Sequence, residues 1–176
     1  AGVPIYTSSP GDSSIGMNVA YHQLINSSRL MVDSNQDVNE VCAIILAGEK
    51  NGGLILGGGS PKNFYLQGQP TLWEVYGIPK GGNDYFIQFT TDHVVWGGLS
   101  GATPSEAVSW GKVNPGMLPS TVMAYCDTTI AFPLFCEYVV GSEQGQRPRK
   151  ALYHQRAALV DELDQQARAK HGSKGK

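Results

Sequence analysis

Apolar positions fall in short blocks that switch between a helical and a strand-like period along most of the chain. Val38, Val41, Cys42, Ile45 and Leu46 lie at helical spacing. They predict a helix that Asp33 or Ser34 caps and that runs to about Gly48. Ile15–Ser27 reads as a further helix. Gly53-Leu54-Ile55-Leu56 is short and wholly apolar, as a buried parallel strand should be. Tyr85–Phe89 and Thr121–Tyr125 are two more strands, and Val3–Tyr6 and Leu30–Val32 are shorter candidates. Between the first two, Gly57-Gly58-Gly59 forms a turn, and Ser60-Pro61 opens a helix to about Tyr76 with Ser60 as N-cap. Thr103-Pro104-Ser105-Glu106 is a capping box for a short helix ending near Gly111. Thr128–Val140 is an apolar helix despite Pro133.

Strands that alternate with helices of this length imply βαβ units with right-handed crossovers. The expected fold class is α/β, a Rossmann-like and mostly parallel sheet with helices on both faces, followed by a helical C-terminal tail. After Gly141 the composition turns polar and charged. This divides the chain into an α/β domain over residues 1–141 and a partly helical tail over residues 142–176, with one helix at about Lys150–Ala169. In such folds ligands bind beyond the carboxyl ends of the strands, here Gly57–Gly59, Thr90–Thr91 and Asp127.

Composition removes several function classes. A net charge of −2 leaves no basic field for nucleic acid or an anionic membrane. The basic residues Arg147, Arg149, Lys150 and Lys170–Lys176 belong to a tail that reads as solvated. No apolar run approaches the ~20 residues of a membrane span, and the N-terminus lacks a signal-peptide pattern. Cys42, Cys126 and Cys136 sit in apolar runs and read as buried, reduced thiols of a cytoplasmic protein. Their spacing fits no zinc motif, the four histidines are scattered, and no metal is expected. The chain opens without Met on what looks like an internal strand, so a fragment, or one product of a split or cleaved polypeptide, is expected.

Several residues carry two readings at this level. The glycine turn suits close approach of backbone to a pyrophosphate, or is simply a tight strand-to-helix connection. Asp127 can take ribose hydroxyls or cap the helix at Thr128. Glu106 is explained by the capping box. Lys112 is either a solvated lysine at a helix end or an amine desolvated by Trp110 and able to form a Schiff base. Asp92-His93 is a proton shuttle or a surface loop, and Trp96 is equally open.

Ser100-Gly101-Ala102, Pro104 and Glu106-Ala107-Val108-Ser109-Trp110-Gly111-Lys112 together resemble the active-site segment of the deoxyhypusine synthase family. Pro4-Ile5, Asp12 with Ser14-Ile15-Gly16, the Ile55–Gly59 turn with Lys62, Asp84-Tyr85, and Tyr125 to Pro133 follow in the same order. The resemblance covers about residues 3–140 and corresponds to the C-terminal half of that family's chain. It implies an NAD-dependent aminobutyl transferase. Such an enzyme oxidises spermidine, holds its butylamine group on a lysine as an imine, and passes it to a lysine of an acceptor protein. Lys112 is then the imine-forming lysine. Glu106 and Trp110 are polyamine contacts, with Asn63, Gly97, Leu99 and Met17 around them. Asp12, Gly57, Gly58, Gly59, Thr91, Asp92, Ser100, Asp127 and Thr128 are the implied NAD contacts. The implied assembly is a homotetramer with sites at subunit interfaces, the other half of the family chain being a separate chain or part of a longer precursor.

Three positions depart from the family pattern. Met17 stands for an acid, Asn63 for a histidine and Leu99 for an aspartate, and the segment between the glycine turn and Tyr85 is longer. These departures resemble the bacterial deoxyhypusine-synthase-like branch. They keep open transfer to a small amine, as in homospermidine synthases, and a non-catalytic half-chain that completes a two-chain assembly. Residues 1–176 alone are expected to bind NAD weakly and to expose apolar surface where the pocket is incomplete.

Overall fold

Three short strands, β1 (Gly52–Leu56), β2 (Tyr85–Thr90) and β3 (Thr121–Tyr125), pair in parallel in the order β1-β2-β3. The computed structural model describes residues 2–148 and 150–172; Arg149, Lys174 and Lys176 of the basic tail lie outside them. Leu56 lies opposite Phe89, and Thr90 opposite Tyr125. Gly57 N–H and Cys126 N–H extend the ladders to the carbonyls of Phe89 and Thr90. The glycine turn, Thr91-Asp92 and Asp127 therefore leave the sheet side by side at one edge.

Among the described residues seven α-helices surround the sheet: α1 (Ser14–Ile25), α2 (Ser34–Ala47), α3 (Ser60–Leu66), α4 (Gly68–Pro70), α5 (Pro104–Ser109), α6 (Thr128–Gly141) and α7 (Leu152–Gly172). Strand β2 shows how both faces are covered. Phe86 points to one side and packs with Ile55 and with Leu66 of α3. Phe89, three residues on and so facing the other way, meets Phe135 of α6 edge-on at 5.7 Å between ring centroids. This is the expected α/β architecture.

Some local expectations do not hold. Val3–Tyr6 and Leu30–Val32 are not strands. A strand exists only through a pairing neighbour, and these segments have none among the described residues. Tyr6 instead packs on the core and donates a hydrogen bond to Glu40, while Ile5 and Met31 stay exposed. In β1 only Ile55 is buried; Leu54 and Leu56 lie on the face that no helix covers at that edge. The N-cap of α3 is Gly59, not Ser60, which is already helical. The helix expected to run from Ser60 to Tyr76 stops at Leu66 and continues as α4 and a π-helical turn, Thr71–Val75. Pro70 lacks a backbone N–H and so breaks the regular ladder there. Cys42 is buried, but Cys126 and Cys136 are only half-buried.

The main core joins Val41, Cys42, Ala43 and Ile45 of α2 to Leu72, Ile78 and Leu163. Leu163 belongs to α7, where Leu159, Val160 and Ala167 pack beside it. The polar stretch after Gly141 thus supplies an apolar stripe, and the change of composition does not mark the edge of the core. Leu72 is wholly buried. Leu72→Ala should cost about 2–5 kcal/mol through lost burial and the cavity left behind, read as a lower midpoint in urea unfolding with an unchanged slope.

Apolar surface remains uncovered elsewhere. Ile130, Leu134 and Tyr138 repeat at i, i+4, i+8 along α6 and are exposed, as are Val122 and Tyr125 of β3. Among the described residues no helix is long and apolar enough to cross a membrane.

Candidate active site

The segment from Thr103 to Val113 is a short helix with a closed end. Thr103 Oγ1 accepts the Glu106 N–H at 3.2 Å, and Pro104 occupies the first helical position, where its missing N–H costs nothing. At the other end Gly111 N–H donates to Val108 O and Lys112 N–H to Ala107 O. With Gly111 in the left-handed region (φ 67°), these two bonds are a Schellman cap. The cap turns the chain back on itself. Lys112 follows the glycine, and the fully buried Val113 anchors the next residue.

Asn83 fixes the backbone of Lys112. It is wholly buried, and its main-chain N–H and its Nδ2 both donate to Lys112 O, at 2.9 and 3.0 Å. Its Oδ1 accepts from Tyr65 Oη at 2.6 Å. The Lys112 side chain is half-buried. Its Nζ donates to Asn63 Oδ1 at 2.7 Å and lies 5.7 Å from the centre of the Trp110 ring. Desolvation pulls the Lys112 pKa below the ordinary lysine range, against an opposing pull from the Glu106 carboxylate.

Lys112, Trp110, Glu106, Leu99, Asn63 and Lys62 line one chamber of about 350 Å³. Five of the residues expected around a polyamine therefore share a single space. Met17, exposed on α1, and Gly97, exposed in the loop after β2, do not line it. The chamber holds a second lysine with a lowered pKa. Lys62 is only 5% exposed, and burial brings it down to about 8. Its three N–H bonds are engaged with protein oxygens, whereas Lys112 is more open and holds one acceptor. Lys112 is the more accessible of the two amines.

The expected cofactor residues gather at the carboxyl edge of the sheet. Gly57, Gly58 and Gly59 all have positive φ (76°, 152° and 78°). A Cβ on Gly58 would stand 2.7 Å from Ser100 Cα, so the turn and the Ser100 backbone are in contact. A Cβ on Gly57 would meet nothing within 4 Å, so bare backbone faces open space there. Beyond the turn, Ser60 lines a cleft of about 670 Å³ with Asp12, Ser8 and Ser9. The first turn of α3 divides this cleft from the lysine chamber, as Ser60 and Phe64 face one and Lys62 and Asn63 the other. Asp92 N–H is held by Thr90 Oγ1, and Thr91 is exposed beside it. Asp127 caps α6: its Oδ1 accepts from Thr129 N and Oγ1, bonds that hold its carboxyl below the usual range. Thr128 is the half-buried first residue of α6.

Sequence reasoning overlooked Asn83 and Gln88, and quoted Lys62 only as part of the family match. Gln88 is wholly buried in β2. Its position in Tyr-Phe-Ile-Gln-Phe-Thr fits strand alternation with polar residues outward, so only the fold reveals that it faces inward.

A family model described as deoxyhypusine synthase matches residues 1–139. A deoxyhypusine synthase-like protein of Nostoc punctiforme is 57% identical over 92% of this chain and 42% of its own length. A probable deoxyhypusine synthase 2 of Methanosarcina acetivorans is 41% identical over 75% of this chain and 37% of its own. A second protein of that description, from Archaeoglobus fulgidus, is 37% identical over 83% of this chain and 47% of its own. The chain thus spans less than half the length of these relatives. It belongs to the deoxyhypusine synthase family.

Proposed function

We propose that the protein carrying this chain is an NAD-dependent aminobutyl transferase that takes its butylamine group from spermidine and holds it on Lys112. The observation that carries this reading is the state of Lys112: a half-buried, partly desolvated amine beside the Trp110 ring, bonded to a neutral acceptor, and facing a chamber with one carboxylate. The three glycines with positive φ and open space at Gly57 suit a pyrophosphate on bare backbone. Asp12, Gly57–Gly59, Thr91, Asp92, Ser100, Asp127 and Thr128 would hold NAD, which when bound supplies the hydride acceptor for amine oxidation.

The chain's own residues perform the rest. Trp110 gives the donor methylenes an apolar wall, and Glu106 receives an ammonium. Lys112 attacks the imine carbon of the oxidised donor as a free amine; the C=N bond to its Nζ forms as the bond to the diamine breaks, and the two Lys112 protons leave on the departing diamine nitrogen. Asn63 Oδ1 accepts one Lys112 N–H and so directs the lone pair, but an amide cannot take the proton. The uncovered apolar stripe on α6 supports a homo-oligomer, as does the distance of Met17 from the chamber. A cytoplasmic setting follows the family reading.

The acceptor is a protein lysine in the family reading. A small amine acceptor is the second reading, favoured by a chamber that Leu99 and Asn63 line without adding charge. Incubation with NAD, spermidine labelled in its butyl segment and unlabelled putrescine separates the two. Label in protein is expected for the first reading, and label in homospermidine for the second. No transfer to either in the presence of NAD would remove both and leave a non-catalytic half-chain.

A further inference from the structure

The strongest unexplained feature is a buried polar network between the two halves of the site. Lys62 Nζ donates to Ala102 O at 2.7 Å, to Gln88 Oε1 at 3.0 Å and to Ser100 O at 3.4 Å. Gln88 Nε2 donates to Gly57 O at 2.7 Å and again to Ser100 O at 2.8 Å. The Phe86 ring closes the site 5.7 Å from the Lys62 ammonium. A buried ammonium with no carboxylate bonded to it is costly, and nothing in the core requires it. With Gln88 of β2 it ties the glycine turn and the adjoining first turn of α3 to the distant Ser100–Ala102 turn that leads into α5.

We propose that Lys62, together with Gln88, is a positioning residue for the transfer reaction: the pair clamps the Ser100–Ala102 turn against the glycine turn and so holds in place the segment that leads into α5 and Lys112. The proposal rests on the reading of Lys112 as nucleophile. Geometry supports the clamp at each end. The Ser100 backbone sits where a Cβ on Gly58 would be, so the two turns touch and cannot slide independently. Lys62 is followed by Asn63, which accepts from Lys112, so one helical turn holds both the loop and the nucleophile. Two charged side chains face Lys62 in the chamber. Lys112 repels it and Glu106 attracts it.

The test uses the native assembly that contains this chain. Lys62→Met and Gln88→Leu should each lower kcat about 100-fold, the scale on which a misplaced site acts, with smaller effects on KM. The double variant should be no worse than the poorer single, because both release the same turn. Borohydride trapping of an adduct on Lys112 during turnover should fall in step with kcat in both single variants. If Lys62→Met does not fold, Lys62→Arg keeps the charge but replaces a compact ammonium with a wider planar fork; it should lose kcat to a similar degree. Native kcat in the folded Lys62 variant, or losses that multiply in the double variant, would overturn the proposal. A Lys112→Ala protein that retains turnover would instead remove the nucleophile reading itself.

Discussion

Lys112→Ala should lower transfer by about 10,000-fold or more, the scale of losses when a covalent nucleophile is removed, while leaving NAD binding and thermal stability near native. Stability is spared because the side chain is half-buried and contributes one hydrogen bond, to Asn63. The backbone bonds that shape the turn come from Asn83 and the Schellman cap and survive the substitution. Lys112→Arg should be as inactive, since a guanidinium does not lose its proton. The native pH profile follows from the same amine. In the proposed role Lys112 must act as the free base, and desolvation lowers its pKa. Its free-base fraction at any given pH therefore exceeds that of an ordinary lysine, and the rate should rise with pH in a range below the usual lysine titration. Borohydride added during turnover should fix a butylamine adduct on Lys112. An adduct on another lysine, or a Lys112→Ala protein with native transfer, would dismiss the assignment.

The fold was readable where a pattern in sequence corresponds to one local physical cause. The apolar spacing of Val38 to Leu46 predicts α2 because a helix needs one buried stripe, and Asp33 caps it through two backbone N–H groups. The three strands of the sheet are each short and apolar and are followed by a turn. Val3–Tyr6 has similar residues and fails, because pairing is not a local property. The lysine segment was legible for the same local reason: Thr103, Pro104 and Gly111 announce the ends of α5, whatever the segment does. The polar network behind it was not. Lys62 in the first turn of a helix reads as a surface charge, Gln88 as the outward residue of an alternating strand, and Asn83 as part of a Gly-Gly-Asn-Asp loop. Each is buried because a distant segment covers it. No single-chain pattern encodes the meeting of residues 57, 62, 88, 100 and 102.

Gly111→Ala should lower kcat about 100-fold without touching any group that contacts substrate. Gly111 holds φ 67°, a conformation that costs a side-chain-bearing residue roughly 1–2 kcal/mol. A Cβ there would also stand 2.9 Å from Trp73 Nε1. Trp73 is 42% exposed, so its side chain can swing aside and the backbone penalty is the lasting term. The chain relieves that penalty by leaving the left-handed region, which breaks the Gly111–Val108 and Lys112–Ala107 bonds and swings Lys112 off its bearing on Asn63. A displacement of about 1 Å at a reacting group is enough for a loss of this size. Gly111→Asn provides the control, because asparagine enters the left-handed region more readily than alanine while bringing the same Cβ to Trp73. If backbone conformation governs, Asn should retain more activity than Ala, and borohydride trapping on Lys112 should fall in the same order. Equal losses in both variants would instead assign the effect to Trp73 and its contact. Native kcat in Gly111→Ala would mean that the turn does not aim the lysine at all.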